Sequence, residues 1–268
     1  MHRPVAAFFD LDKTIIAASS TLAFSRHFQS GGLITKRAML RSAYAQFVFA
    51  VGGADHDQMD KLREFLSALV TGWDVATVRE IVADTLHHTV DPLVYDEAVT
   101  LIEEHRAAGH DVIIVSASGT EVVDPIGAML GADAVVATEL EISEEGKYTG
   151  EIKRYVFGEE KARAIRSLAA EKGYDLAECH AYSDSVTDVP MLAVVGHPFA
   201  VNPDKELRRV AEQNGWPVLV FTRPVGLRSR NLPSTPTLAA LAVGGVVAVG
   251  GYVWANSWAN GRRRPPVV

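Results

Sequence analysis

The chain reads as an α/β protein built on a parallel sheet with helices on both faces. Short apolar runs recur between stretches of helical composition, the alternation that a parallel sheet with crossover helices requires. Two of those stretches, 94–108 and 159–172, also place apolar residues at helical spacing with charged outer faces. Length and composition bound the class further. With 268 residues, 48% hydrophobic and 22% charged, the chain is globular and suits one body of about 200 residues with an appendage.

Along the chain, strands are expected over 5–9, 111–115, 134–138, 180–183, 198–201 and 217–221. Gly109 and Gly173 follow the two amphipathic helices at the C-cap position. The alternating stretch 139–152, with Gly146 and Gly150, is expected to form a β-hairpin. Residues 17–90 break the rhythm: 20–29, 33–51, 57–70 and 75–88 have helical composition and no convincing strand intervenes. They read as a helical cap inserted after the first strand. The expected division is therefore a core of 1–16 and 91–222, a cap of 17–90, a linker of 223–236, a hydrophobic segment of 237–258 and a basic tail of 259–268.

The net charge of −7 conceals an asymmetry. Beyond Thr222 there are six arginines and no Lys, Asp or Glu, so residues 1–222 carry all 33 acids against 20 bases, a balance of −13. Duplex binding draws on Lys and Arg to neutralise phosphates, so an acidic body argues against a nucleic-acid partner. The single cysteine, Cys179, excludes an internal disulfide and fits a reducing compartment. The apolar stretch before Asp10 is too short for a secretory signal, so the amino-terminal part is expected to stay in the cytoplasm.

The tail differs. No charge falls between Asn231 and Gly261, and 238–254 is a run of seventeen uncharged, mostly apolar positions, at the lower edge of the about 17–25 that span a bilayer. Tyr252, Trp254 and Trp258 precede Arg262, Arg263 and Arg264, an arrangement suited to a headgroup interface. Ala240, Gly244 and Ala248 form a small-residue face that also suits helix packing. The expectation is membrane attachment by a C-terminal hydrophobic helix. Three arginines lie on each side of it, so the orientation stays open.

Three expected strands end in reactive polar groups: Asp10-Leu-Asp12-Lys-Thr14, Ser116-Ala117-Ser118-Gly119 and Ser183-Asp184-Ser-Val-Thr-Asp188. Ligands of open α/β sheets bind outside the carboxyl ends of strands, so these loops are expected to converge. Asp10 and Asp12, two apart in extended chain, leave on the same face. Such a pair divides labour between a nucleophile and a general acid/base. Asp184 and Asp188 are expected one turn apart at the start of a helix. Carboxylates crowded together, without thiolates or paired histidines, point to Mg2+. The turn at 116–119 supplies hydroxyl and N–H donors for phosphate oxygens, and Lys161, early in a helix, supplies a compensating cation.

Together, Asp10-Leu-Asp12-Lys-Thr14, Ser116, Lys161 and Ser183–Asp188 resemble the four motifs of the haloacid dehalogenase superfamily, within the branch that contains phosphoserine phosphatase. The resemblance covers about residues 5–222 and implies a Rossmann-like core with a helical cap. It further implies that Asp10 forms an aspartyl-phosphate and that Asp12 is the general acid/base. Ser116, with the backbone at Ala117 and Ser118, would bind the transferring phosphoryl, and Lys161 would neutralise charge. Mg2+ would be held by Asp10, the carbonyl of Asp12 and Asp184, with Asp188 in support. Dehalogenases of the superfamily lack an acid at the position of Asp12, so its presence favours phosphate-ester hydrolysis.

Three positions depart from that pattern. Phosphoserine phosphatases carry a glutamate nine residues after the nucleophile, where this chain has Ser19. Ser183 stands where glycine is usual, and Thr187 where asparagine often supports the metal. Arg26, Lys36, Arg37 and Arg41 are cap cations that either read a negative substrate group or face solvent. His87 and His88 are adjacent and point to different helix faces, which argues against a shared metal. Cys179, Trp73 and the Tyr44, Phe47, Val48 stripe read as packing. The expected function is an Mg2+-dependent phosphomonoesterase acting on a small-molecule or membrane-proximal phosphate. The alternatives are phosphoserine phosphatase proper and a non-catalytic membrane-associated scaffold, and the oligomeric state is left open.

Overall fold

A computed structural model describes residues 4–34 and 67–224. Its sheet has seven strands: β1 (Ala6–Phe9), β2 (Asp111–Gly119), β3 (Ala134–Ile142), β4 (Tyr148–Arg154), β5 (His180–Ser183), β6 (His197–Val201) and β7 (Val218–Leu219). The spatial order is β4-β3-β2-β1-β5-β6-β7. All neighbouring pairs are parallel except β3 and β4, which form the expected antiparallel hairpin. The chain leaves β1 toward β2 and later returns to its other side with β5, which makes the carboxyl end of β1 the topological switch point.

The helices are α1 (Ser20–Ser30), α2 (Val75–Val90), α3 (Asp96–Ala107), α4 (Thr120–Leu130), α5 (Glu159–Lys172), α6 (Val189–Ala193) and α7 (Lys205–Asn214). Every residue of β1 is buried, as a central strand covered on both faces demands. Its alternation splits the core in two. Ala7 and Phe9 join Val112, Ile114, Tyr182 and Val201 under residues of α1 to α4, including Phe24, Val82, Ile102 and Ile126. Ala6 and Phe8 join Ile113, Val115, Ala181 and Ala200 under Ile165, Met191 and Leu207 of α5 to α7.

Several expectations needed correction. Residues 116–119 are not a free turn: β2 runs on to Gly119, pairing with Thr138 of β3 after a register shift. Asp184 and Asp188 do not share a helical turn. Val186–Asp188 is a single 3-10 turn, and α6 starts only at Val189, where Pro190 suits the first positions of a helix. The last strand shrinks to Val218–Leu219. Helices α4 and α7 were not among the expected elements. The first contains Pro125, a helix breaker in isolation, and the second is short and strongly charged.

Of the expected cap, α1 and α2 are described and pack against each other, and 67–70 is helical. Most of the helices expected over 33–51 and 57–70 lie outside the described residues, as do Lys36, Arg37, Arg41, Tyr44, Phe47 and Val48. The hydrophobic segment 237–258 and basic tail 259–268 also lie outside them. Among the described residues, no helix is long and apolar enough to cross a membrane.

Candidate active site

Asp10 follows β1 directly, and its N–H still donates to the Tyr182 carbonyl of β5 at 2.9 Å. The chain then turns tightly. The Leu11 carbonyl accepts the N–H groups of Ile15 at 2.9 Å and Ile16 at 3.1 Å, and Lys13 takes a left-handed φ of 62°. A left-handed lysine is uncommon because its Cβ crowds the following carbonyl. The turn sets Asp12 against two other elements. One carboxylate oxygen accepts the Ser20 N–H at 2.8 Å, at the start of α1, and the other accepts the Ser118 hydroxyl of β2 at 3.2 Å. The Ser20 and Ser118 hydroxyls are themselves 2.9 Å apart.

On the other side of Asp10 lies a buried ion network. Lys161 Nζ donates to Asp10 Oδ1 at 2.6 Å and to Asp188 Oδ2 at 2.7 Å, with Lys161 and Asp188 each only 2% exposed. The helix supplying Lys161 begins after Gly158, whose φ of 55° and ψ of −121° no L-residue adopts comfortably. Asp188 Oδ2 also accepts the Ser183 hydroxyl at 2.7 Å. The loop that carries Asp188 is tied to α7: Asp204 accepts the N–H groups of Val186 at 2.9 Å and Leu207 at 2.7 Å. The Asp204 N–H in turn donates to the Asp184 carbonyl at 2.8 Å.

Burial dominates the electrostatics. It pushes the Asp10 carboxyl up to about 7, opposed by Lys161 and reinforced by Asp188 and Asp12. Asp184 rises to about 8, again through burial first and then the charge of Asp10, with Lys13 and Lys161 opposing. Burial also raises Asp12 against the hydrogen bonds from Ser20 and Ser118. Although burial works against its charge, Lys161 is held above its usual range by Asp10 and Asp188. One buried ammonium thus faces four carboxylates, and the excess negative charge is what a divalent cation would relieve. Oxygen donors without thiolate or imidazole fit a hard ion such as Mg2+.

The three strand ends therefore converge: Asp12 with Ser118, and Asp10 through Lys161 with Asp188 and Ser183. Ser116 is buried and its hydroxyl accepts the Ser118 N–H at 3.2 Å, with Ala117 between them. Ser19 is the N-cap of α1, adjacent to the Ser20 that holds Asp12, and its side chain makes no capping hydrogen bond. Arg26 is exposed. His87 is exposed on α2 and paired with Asp91 at 3.2 Å, while His88 is also exposed, so neither joins this site. Cys179 is buried and Trp73 packs on Phe28, as expected.

Three residues have surroundings that the sequence reading did not foresee. Ser20 sits at an expected helix start eight residues after Asp12, a spacing that signals capping and not acid support. Ser183 looked like a departure from pattern, yet its hydroxyl is a partner of Asp188. The Thr14 hydroxyl is buried beside the turn with no hydrogen-bond partner.

With this geometry established, comparison with known proteins gives the class. The sequence pattern of haloacid dehalogenase-like hydrolases matches residues 7–193, and the chain belongs to that family. It is a phosphatase of this family, a phosphoric monoester hydrolase. It is 60% identical to an "inhibition of morphological differentiation protein" of Streptomyces azureus over 96% of this chain and 94% of the relative. A probable phosphatase of Mycobacterium tuberculosis is 57% identical over 91% of this chain and 85% of its own length. A phosphoserine phosphatase of the same organism is 33% identical over 91% and 79%. Among solved structures, a phospho-aspartyl intermediate analogue of phosphoserine phosphatase superposes with a TM-score of 0.61, covering 83% of this chain and 95% of that one. At 19% identity that likeness speaks for the fold alone.

Proposed function

We propose that the protein hydrolyses a small phosphomonoester through an aspartyl-phosphate on Asp10, with Mg2+ as its cofactor. The observation that carries this is the pairing of Asp10 with Lys161 on one side while Asp12 stands apart, held by Ser20 and Ser118. The two carboxylates thereby have different environments, which is how paired acids take different roles.

Asp10 keeps Oδ2 for attack, since Oδ1 faces Lys161. That oxygen forms a bond to phosphorus as the ester P–O bond breaks, and Asp12, whose hold on a proton burial strengthens, passes its proton to the departing alkoxide. In the second half, Asp12 takes a proton from water as the water oxygen attacks phosphorus. The bond to Asp10 breaks, its carboxylate is restored and inorganic phosphate leaves. The Ser116 hydroxyl and the N–H groups of Ala117 and Ser118 hold phosphoryl oxygens, with Lys161 balancing charge. Mg2+ on Asp10, Asp184 and the Asp12 carbonyl, supported by Asp188, would keep Asp10 ionised and shield phosphoryl oxygens.

The test is phosphate release from phosphoserine, sugar phosphates, nucleotides and lysophosphatidate, with Mg2+ or EDTA. Asp10→Asn is expected to abolish turnover, and Asp12→Asn to lower it by about 10²–10⁴-fold. Retained activity in Asp10→Asn would refute the nucleophile assignment. Phosphoserine phosphatase proper is the second reading, favoured by the relative of that name. Against it stands Ser19, which offers the substrate ammonium no charge, and the panel ranks the two readings. The tail is proposed as a membrane tether for a cytoplasm-facing enzyme. Its support is the uncharged run 238–254 with flanking aromatic and arginine residues.

A further inference from the structure

At the opposite end of the sheet from Asp10, three histidines gather, with a fourth, His197, stacked on one of them, His180, at 4.6 Å; among the described residues no carboxylate completes the set. His105 lies in the last turn of α3 and is buried. The chain then turns through Gly109, at a φ of 77°, and folds back so that the His110 N–H donates to the His105 carbonyl at 3.0 Å. His180 opens β5, in register with Ala7 of β1. His110 and His180 thus flank β1 on its two sides, and on that face β1 presents the small Ala7, with the Phe9 ring edge-on to His105 at 6.0 Å. The offset from Ala7 to Asp10 is three residues, about 10 Å of strand.

The three rings form a compact donor set. One nitrogen of each lies within 4.8 Å of the other two. His105 Nδ1 and His110 Nδ1 face each other at 2.9 Å, so a single proton must serve both. His105 Nε2 is 2.8 Å from the Tyr182 hydroxyl, an outer partner of the kind that orients a ligating imidazole. His180 Nδ1 is buried with no hydrogen-bond partner. One N–H···N hydrogen bond satisfies the His105–His110 pair, whereas the buried His180 nitrogen without a partner is costly unless a ligand takes its lone pair.

We infer that His105, His110 and His180 form a binding site for a zinc-class divalent transition metal, with water completing a tetrahedral set. Imidazole selects Zn2+, Co2+, Ni2+ and Cu2+ over Mg2+, which prefers oxygen. Zn–N bonds of about 2.0–2.1 Å separate tetrahedral ligand atoms by about 3.3 Å, within reach of ring rotations of the half-buried His110 and His180. Such an ion would cross-link α3, β2 and β5, elements distant in sequence, and would leave the carboxylate centre to its own cation.

The experiment titrates full-length protein with Co2+ or Zn2+ in millimolar Mg2+, which occupies the carboxylates. The expected result is one equivalent taken up at micromolar or lower concentration, with the visible absorption of tetrahedral Co2+ and a raised melting temperature. Uptake should persist in Asp184→Asn and weaken at least tenfold in His110→Gln, whose phosphatase activity should stay unchanged. On unmutated protein, Zn2+ but not Mg2+ should slow diethyl pyrocarbonate modification of His110 and His180, mapped by mass spectrometry. Absent uptake, uptake lost in Asp184→Asn, or uptake unchanged in His110→Gln with no protection of the two rings would overturn the site.

Discussion

Lys161 decides the charge balance around Asp10. It is buried between two carboxylates, and its removal would strand Asp10 and Asp188 without a partner. Breaking a buried pair from one side costs about 3–5 kcal/mol, because the orphaned charge stays desolvated. Lys161→Met should therefore lose about that much stability in urea unfolding with EDTA at neutral pH, along with phosphatase activity. A change within about 0.5 kcal/mol would mean that the ammonium contributes nothing net. Ser183 belongs to the same network: where the family pattern favours glycine, this chain donates a hydroxyl to Asp188.

Elements position these residues through a few ties at their ends. Asp204 caps α7 and also holds the Val186 N–H, so one carboxylate locks a helix to the loop carrying Asp188. Replacing a cap of this kind costs about 1–2 kcal/mol, the loss expected of Asp204→Ala in thermal or urea unfolding, accompanied by weaker turnover. A second tie lies at α3. Glu97 in its first turn accepts the N–H groups of Thr222 at 3.0 Å and Arg223 at 3.4 Å, fastening the chain after β7. Burial pushes Glu97 up, but those backbone donors and the Arg223 charge bring it below its usual value. A carboxyl lowered in the folded state stabilises above its unfolded pKa, and the contribution fades as pH falls through the folded one. Stability should drop between about pH 5 and pH 3, less steeply in Glu97→Gln, and identical slopes would refute the tie.

At the scale of the whole molecule, the packed sheet needs the chain as far as Pro224, which bridges to Tyr95 while the Arg223 carbonyl accepts the Asp96 N–H at 2.9 Å. A boundary after Thr222, where the charge pattern changes, would cut through this seam. Truncation after Pro224 should keep the melting temperature and phosphatase activity of the full chain. If the tail tethers the enzyme, the full chain should sediment with membranes and the truncated one should not. Full-length protein soluble without detergent would exclude the tether.

Much of this architecture is local and was legible in the residues. The bounds of α5, 159–172, follow from helical spacing and the glycine beyond it, and the burial of β1 on both faces follows from its uninterrupted apolar run. Helix α4 was hidden because Pro125 is a breaker on propensity alone, yet packing of Val123 and Ile126 under the sheet outweighs it. The sequence by itself determined the alternation of elements, the acids ending β1 and β5 and the absence of thiolate chemistry, because these depend on neighbours within a few residues. Tertiary structure alone decided that Lys161 reaches Asp10 across 151 positions, that Ser183 serves Asp188 and that His105, His110 and His180 meet at the start of β1. Those contacts depend on strand order and register, which arise from burial of the two sheet faces as a whole and leave no periodic trace in the residues that benefit.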